Sequence, residues 1–200
     1  MEQNELWMFG VSSDFSKSIL EQLNDYNVQK FGRANLDYSN FNSFIENKKA
    51  PKKVIFNANI EERTSIDILD YNFDNKELLS SFENFNDVFC FLVKLLKWLE
   101  HQKTPITFCL ITSSITQWPF KHKQNLSYSL LRSLGQTALM TCATENLKVI
   151  GISPGGLSPE RFEDYAKIIK QKIESDNTLK IYELYNGVEE VVNLSEYVNE

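Results

Sequence analysis

Two hundred residues, 42% of them hydrophobic, suit one globular domain with a substantial core. A net charge of -6 and a pI near 5.1 argue against a broad nucleic-acid or anionic-membrane surface. Glu2 and Glu5 precede an apolar run of only a few residues, unlike a signal peptide, and the longest apolar segment, Val88 to Leu99, is interrupted by Lys94 and Lys97; a soluble cytoplasmic protein is expected.

In chain order, Leu6-Trp7-Met8-Phe9 reads as a short buried strand ending at Gly10, and Ile19, Leu20 and Leu23 then fall at helical spacing. Val28 to Phe31 predicts a second strand. Phe41, Phe44 and Ile45 indicate a short helix before the polar linker Asn47 to Lys53 with its Pro51. Val54-Ile55-Phe56 and Ile106 to Ile111 have the β-branched, continuously apolar character of buried parallel strands. Between them Phe82, Phe85, Phe89, Leu92, Val93, Leu96 and Leu99 mark one face of a long helix.

Tyr128 to Thr144 predicts another helix and Val149 to Ile152 the strand after it. Ser158-Pro159-Glu160 opens a further helix, with a capping hydroxyl, Pro in the first turn and acidic residues behind it, and Ile181 to Tyr185 is read as the last strand. Strands alternating with helices give an α/β fold, a Rossmann-like doubly wound sheet of about six mostly parallel strands covered on both faces. Gly10, Asn57, Ser114 and Pro154 all follow strands, so they would line one crevice at the carboxyl edge, where such sheets bind ligands.

Cys90, Cys109 and Cys142 are widely spaced in apolar or small-residue segments and are read as buried free thiols. His101 and His122 stand in polar stretches with no second ligand at metal-binding spacing, and are read as surface residues.

These residues resemble the short-chain dehydrogenase/reductase family, in order and over most of the chain. Phe9-Gly10-Val11-Ser12-Ser13-Asp14-Phe15-Ser16 is similar to the family's glycine-rich turn, Phe56-Asn57-Ala58-Asn59 to its Asn-Asn-Ala-Gly strand end, and Asn84 to its mid-helix Asn; Ser114, Tyr128 and Pro154-Gly155 complete the series. Gly10 and Asn57 are closer in sequence than is usual there, which suggests that one strand-helix unit is missing.

The resemblance implies a nicotinamide cofactor, NADP or NAD, held by Gly10, Ser12, Ser13, Phe15, Arg33, Asp37, Asn57, Ala58, Pro154 and Gly155, with Arg33 facing a 2′-phosphate. It implies Tyr128 as general acid or base toward a small carbonyl or alcohol, Ser114 on the substrate oxygen, Asn84 in a proton relay, and a cation four residues after Tyr128 to lower the phenol's pKa. It also implies pairing of the two long helices across subunits, hence a dimer.

Two departures qualify the pattern. The cation is Arg132 where the family has Lys; its charge favours tyrosinate, yet it is bulkier and never releases its proton. Asp14 and Ser16 occupy the second and third glycine positions, and Asp14 brings a negative charge beside an expected diphosphate, although Ser13 or Asp14 also suits an ordinary helix cap. Three readings therefore stand: an NAD(P)-dependent oxidoreductase, a catalytically degenerate member serving as an interaction or scaffold module, or a crevice for another ligand such as a sugar or a nucleotide lacking the diphosphate. Taken singly, Arg33 can be a solvated loop residue, Asn84 an ordinary polar helix position, and Tyr128 an aromatic packed on Trp118 or Pro119.

Overall fold

The apolar runs pair as a seven-stranded sheet in the computed structural model, which describes residues 4–57, 65–66, 75–112, 124–185 and 188–196, with side chains over 4–57, 85–112, 131–184 and 189–195. Its strands are β1 (Glu5–Phe9), β2 (Asn27–Phe31), β3 (Lys53–Phe56), β5 (Ile106–Ile111), β7 (Leu147–Pro154), β8 (Lys180–Tyr185) and β9 (Val188–Asn193), in the order β2-β1-β3-β5-β7-β8-β9. All neighbours run parallel except β8 and β9. Two further short strands, β4 (Ser65–Ile66) and β6 (Gln124–Asn125), pair antiparallel as a separate ribbon.

The main sheet has seven strands where the sequence predicts about six, and β9 is its additional strand; the short β4 and β6 are likewise absent from the sequence prediction. The antiparallel register sets Tyr185 opposite Val188, so the connection is two residues long, and those two in sequence are Asn186-Gly187, the dipeptide most favoured in tight hairpins. The sheet reverses direction of growth at β1, with β2 on one side and β3 on the other. Doubly wound dinucleotide folds usually carry two strands beyond β1; here there is one, in line with the shortness of the Gly10 to Asn57 segment.

The continuous apolar character of the strands follows from burial on both faces. Trp7, Phe9, Val54, Phe56, Phe108, Leu110 and Val149 face one core, covered by α3 (Asn75–Glu100) and α4 (Leu126–Cys142). Leu6, Met8, Ile55, Cys109, Ile150 and Ile152 face the other, under α1 (Asp14–Gln22) and α5 (Phe162–Glu174). Each fully buried side chain of this kind contributes about 1.5–3 kcal/mol over exposure. Where Trp7 meets α2 (Phe41–Ile45) and α3, it stacks on Trp98 at 5.7 Å and lies edge-on to Phe31 and Phe44.

On α3 the buried stripe is Phe85, Val88, Phe91, Leu92, Leu95, Leu96 and Leu99, slightly rotated from the expected face, so that Phe89 and Val93 are only half-buried. That rotation leaves Cys90 exposed, which corrects its reading as a buried thiol; Cys109 and Cys142 are buried and free as expected. Gly135 lets α4 lie close on β5, since a Cβ there would come within 2.6 Å of Leu110 Cδ2. Among the described residues, no helix is long and apolar enough to cross a membrane.

Candidate functional site

Parallel register aligns the carboxyl ends of the strands: Phe9 stands opposite Phe31 and Phe56, Phe56 opposite Leu110, and Pro154 opposite Leu184. Gly10, Asn57, Thr112 and Gly155 therefore share one edge. Gly10 leaves β1 with φ of 77°, a left-handed conformation that suits glycine, and its N–H donates to the Phe31 carbonyl at 2.8 Å.

Beyond Gly10 the chain turns directly into α1. Ser13 caps the helix, accepting the Ser16 N–H at 3.1 Å. The Ser16 hydroxyl, fully buried, donates to the Gly10 carbonyl at 2.6 Å and accepts from the Asn57 amide at 3.0 Å. Its hydrogen being committed to Gly10, the 2.7 Å contact with Ser13 Oγ must be donated by Ser13. Ser16 thus turns the position of a packing glycine into a three-way brace between β1, α1 and the end of β3. The Asn57 N–H completes it, donating to the Phe9 carbonyl at 2.9 Å.

Asp14 is turned along the helix to Lys17, 2.7 Å away and 80% exposed, and that ammonium holds its carboxyl below the usual range. The expected conflict between Asp14 and a diphosphate is eased: the carboxylate is solvated and partnered. Ser12 is exposed beside the cap, Gly10 is half-buried, and Phe15 is buried against Phe162 of α5 at 5.5 Å. With a helix N-terminus opening onto this edge, these residues fit an anionic dinucleotide.

Past β2, Arg33 lines a cavity of about 520 Å³ together with Tyr38, Asp87 and Val88. Burial pushes the Tyr38 phenol up to about 12, with the Arg33 guanidinium pulling it partway back. Asp37 also borders this cavity, but its carboxylate accepts the Ser39 N–H at 2.9 Å and the Ser39 hydroxyl at 2.7 Å, bonds that lower its pKa. Asp37 serves its own turn.

At the other half of the edge, Gly155 N–H donates to the Leu184 carbonyl at 2.6 Å, and the buried Tyr165 hydroxyl donates to the Gly155 carbonyl at 2.6 Å. The Pro154-Gly155 corner is thus held from β8 and from α5 together. Tyr165 lies on the buried face of α5, and nothing in its spacing announces a partner ten residues earlier.

Arg132 lies on α4 four residues after Tyr128, so the two start from one helix face. Both terminal nitrogens of the guanidinium donate to the Glu183 carboxylate, Nη1 to Oε2 at 3.3 Å and Nη2 to Oε1 in a shorter contact. The pair is well enclosed, at 15% and 3% side-chain exposure. Ser153, opposite Glu183 in the sheet, also bonds the carboxylate. Because a carboxylate only accepts, Ser153 donates to Glu183, and Thr112 supplies the hydrogen of the 2.7 Å Thr112–Ser153 contact. Burial holds the Glu183 carboxyl above its ordinary value, while Arg132 and Ser153 pull it back.

Thr112, Ser153 and Glu183 therefore form a polar stripe across β5, β7 and β8 beneath α4, which sequence reading did not assign. The one available signal was a charge inside the strand Ile181-Tyr182-Glu183-Leu184. Ser114 and Ala58 lie outside the described residues; Asn84 and Tyr128 stand on α3 and α4, with their side chains outside them. Among the described residues no cluster could hold a metal ion.

Similar architecture occurs in a small-chain dehydrogenase solved in complex with NADPH, at TM-score 0.73 and 15% identity over 93% of this chain and 98% of that one. A second small-chain dehydrogenase gives TM-score 0.75 and 16% identity over 94% and 98%. The chain has the short-chain dehydrogenase fold. A short-chain dehydrogenase from Burkholderia cenocepacia in complex with NADP also matches, at TM-score 0.63 and 14% identity over 94% and 89%. No protein-family model matches the sequence, and no curated protein does. Within the short-chain dehydrogenase fold the Gly10 turn, the Asn57 strand end and the Pro154-Gly155 corner fall along one edge.

Proposed function

We propose that this protein is a short-chain dehydrogenase/reductase that binds NADP or NAD along the carboxyl edge of its sheet and interconverts a small carbonyl and its alcohol. The observation that carries this reading is the braced turn at the β1/β3 reversal: a left-handed Gly10, the Ser13 cap and the Ser16–Asn57 bond. NADPH and NADP in two structures of the same fold support it.

Gly10, Ser12, Ser13 and the first turn of α1 would hold the diphosphate, Arg33 a 2′-phosphate, and Asn57 with Pro154-Gly155 the edges of the cofactor. The dinucleotide, when bound, supplies or accepts hydride. Tyr128 exchanges the proton of the substrate oxygen and Ser114 orients that oxygen. The protein would work in the cytoplasm as a dimer through α3 and α4, on whose surface Leu134 is 40% exposed.

A second reading is favoured by the Arg132–Glu183 pair: with its cation balanced, the fold would serve as a non-catalytic interaction module. A screen of small ketones and aldehydes with NADPH, alongside Tyr128→Phe, separates the two. Turnover abolished by the substitution supports the oxidoreductase; biological activity that survives Tyr128→Phe supports the module.

A further inference from the structure

We infer that a second cavity, between the end of β2 and α2, is a binding site for a small zwitterion, an α-amino acid with an aliphatic side chain, whose carboxylate meets Lys48 and whose ammonium meets Asp37. The site goes beyond the oxidoreductase reading and does not depend on it.

This cavity has a volume of about 430 Å³, within the usual range for small-molecule pockets. It shares Asn35, Leu36 and Asp37 with the Arg33 cavity. Phe31, Leu36 and Phe44, all buried, give it an apolar wall, while Asp37 and Lys48 border it with charges of opposite sign.

The position of Lys48 follows from the local chain. Asn47, at φ of 59°, turns the backbone out of α2, and the Lys48 N–H donates to the Ile45 carbonyl at 3.0 Å. The side chain then lies over the aromatic cluster, with Nζ 5.2 Å from the centre of Phe44, 5.4 Å from Phe31 and 5.9 Å from Trp7. Ring faces attract an ammonium without neutralising it, and among the described residues no carboxylate pairs with Lys48. Trp7 packs edge-on against Phe31 and Phe44, the two rings that line the cavity, and its Nε1 is buried without a hydrogen-bond partner. This corner therefore holds nitrogen donors with no oxygen set against them, an environment that favours an anionic group.

Asp37 sets the second requirement. Both Ser39 bonds fall on its Oδ1, so Oδ2 is left to accept from a ligand. Asp37 and Lys48 border one cavity without pairing with each other. A simple anion would be drawn to Lys48 and repelled by Asp37, and a simple cation the reverse; a ligand carrying both signs bridges them. An aliphatic side chain on that ligand covers Phe31, Leu36 and Phe44. Asp37 is exposed and Lys48 half-buried, so solvent weakens each contact and a roughly millimolar affinity follows.

Leucine, N-acetylleucine and leucinamide test the site in the absence of dinucleotide, with heteronuclear NMR shifts of the Trp7 indole N–H and the Asn35 to Asp37 amides as the readout. Leucine should shift these signals saturably. N-acetylleucine lacks the ammonium and leucinamide lacks the carboxylate, and each should bind about threefold to tenfold more weakly. Lys48→Met, which keeps an apolar stem over the rings, should weaken leucine by a similar factor and leave leucinamide no weaker; Asp37→Asn should weaken leucine and leave N-acetylleucine no weaker. Should either variant fail to fold, the three probes on the wild type decide alone. No saturable shift with leucine up to about 50 mM, equal binding of the three probes, or a Lys48→Met protein that binds leucine like the wild type overturns the inference. Such a failure leaves the oxidoreductase reading untouched, and a failure to bind NADPH leaves a positive result here standing.

Discussion

The Ser16 hydroxyl donates to the Gly10 carbonyl at 2.6 Å, at a position where short-chain dehydrogenases keep a glycine. The contact replaces close packing of bare backbone with a buried hydrogen bond, and the Asn57 amide depends on the same oxygen.

Ser16→Ala should therefore destabilise the protein by about 0.5–1.5 kcal/mol, because it strands two half-buried polar partners. Ser16→Val should cost more, adding volume to a fully buried position. Urea denaturation checks both, and a Ser16→Ala protein as stable as the wild type would show that the brace contributes nothing.

The Arg132–Glu183 pair should behave as a unit. Arg132→Met or Glu183→Leu alone should each cost about 3–5 kcal/mol by leaving a buried charge uncompensated, whereas the double variant should recover most of the loss. A double-mutant cycle gives the coupling directly, and strictly additive effects would contradict it.

The same carboxyl should leave a signature in pH dependence. Its folded pKa is raised, chiefly by burial, so its contribution to stability is fully present below the unfolded value of about 4.3 and is lost as pH rises through the folded value. Glu183→Gln should flatten the stability profile in that window. Denaturation midpoints measured across mildly acidic pH read this out.

Tyr165→Phe removes one hydroxyl, the one that holds the Gly155 carbonyl. A loss of about 0.5–1.5 kcal/mol in stability is expected, together with faster amide exchange at Gly155, whose N–H bonds Leu184. Unchanged exchange would show that β8 alone fixes the corner.

How far the sequence carried these conclusions varies by element. The strands were legible because burial on both faces makes each a continuous apolar run, as in Leu6 to Phe9, and β7 was found for the same reason. The strand β9 was not, since Val188 to Asn193 is half polar in sequence and Glu189 to Val192 are exposed, with Val191 and Val192 at 49% and 37%; Asn186-Gly187 was its unused signal. On the site, the turn residues were readable as a motif. The partner of Arg132 was not, because Glu183 lies 51 residues away and only the β7–β8 register carries it under α4. Asp37 illustrates the converse: a residue that fits a motif is occupied by Ser39 two positions on.

Calorimetric titration with NADPH and NADH shows whether the braced Gly10 edge holds a nicotinamide dinucleotide. One saturable site per chain is expected, with Arg33→Ala weakening NADPH about tenfold to a hundredfold and leaving NADH nearly unchanged. An absence of binding to either dinucleotide at millimolar concentration would contradict it.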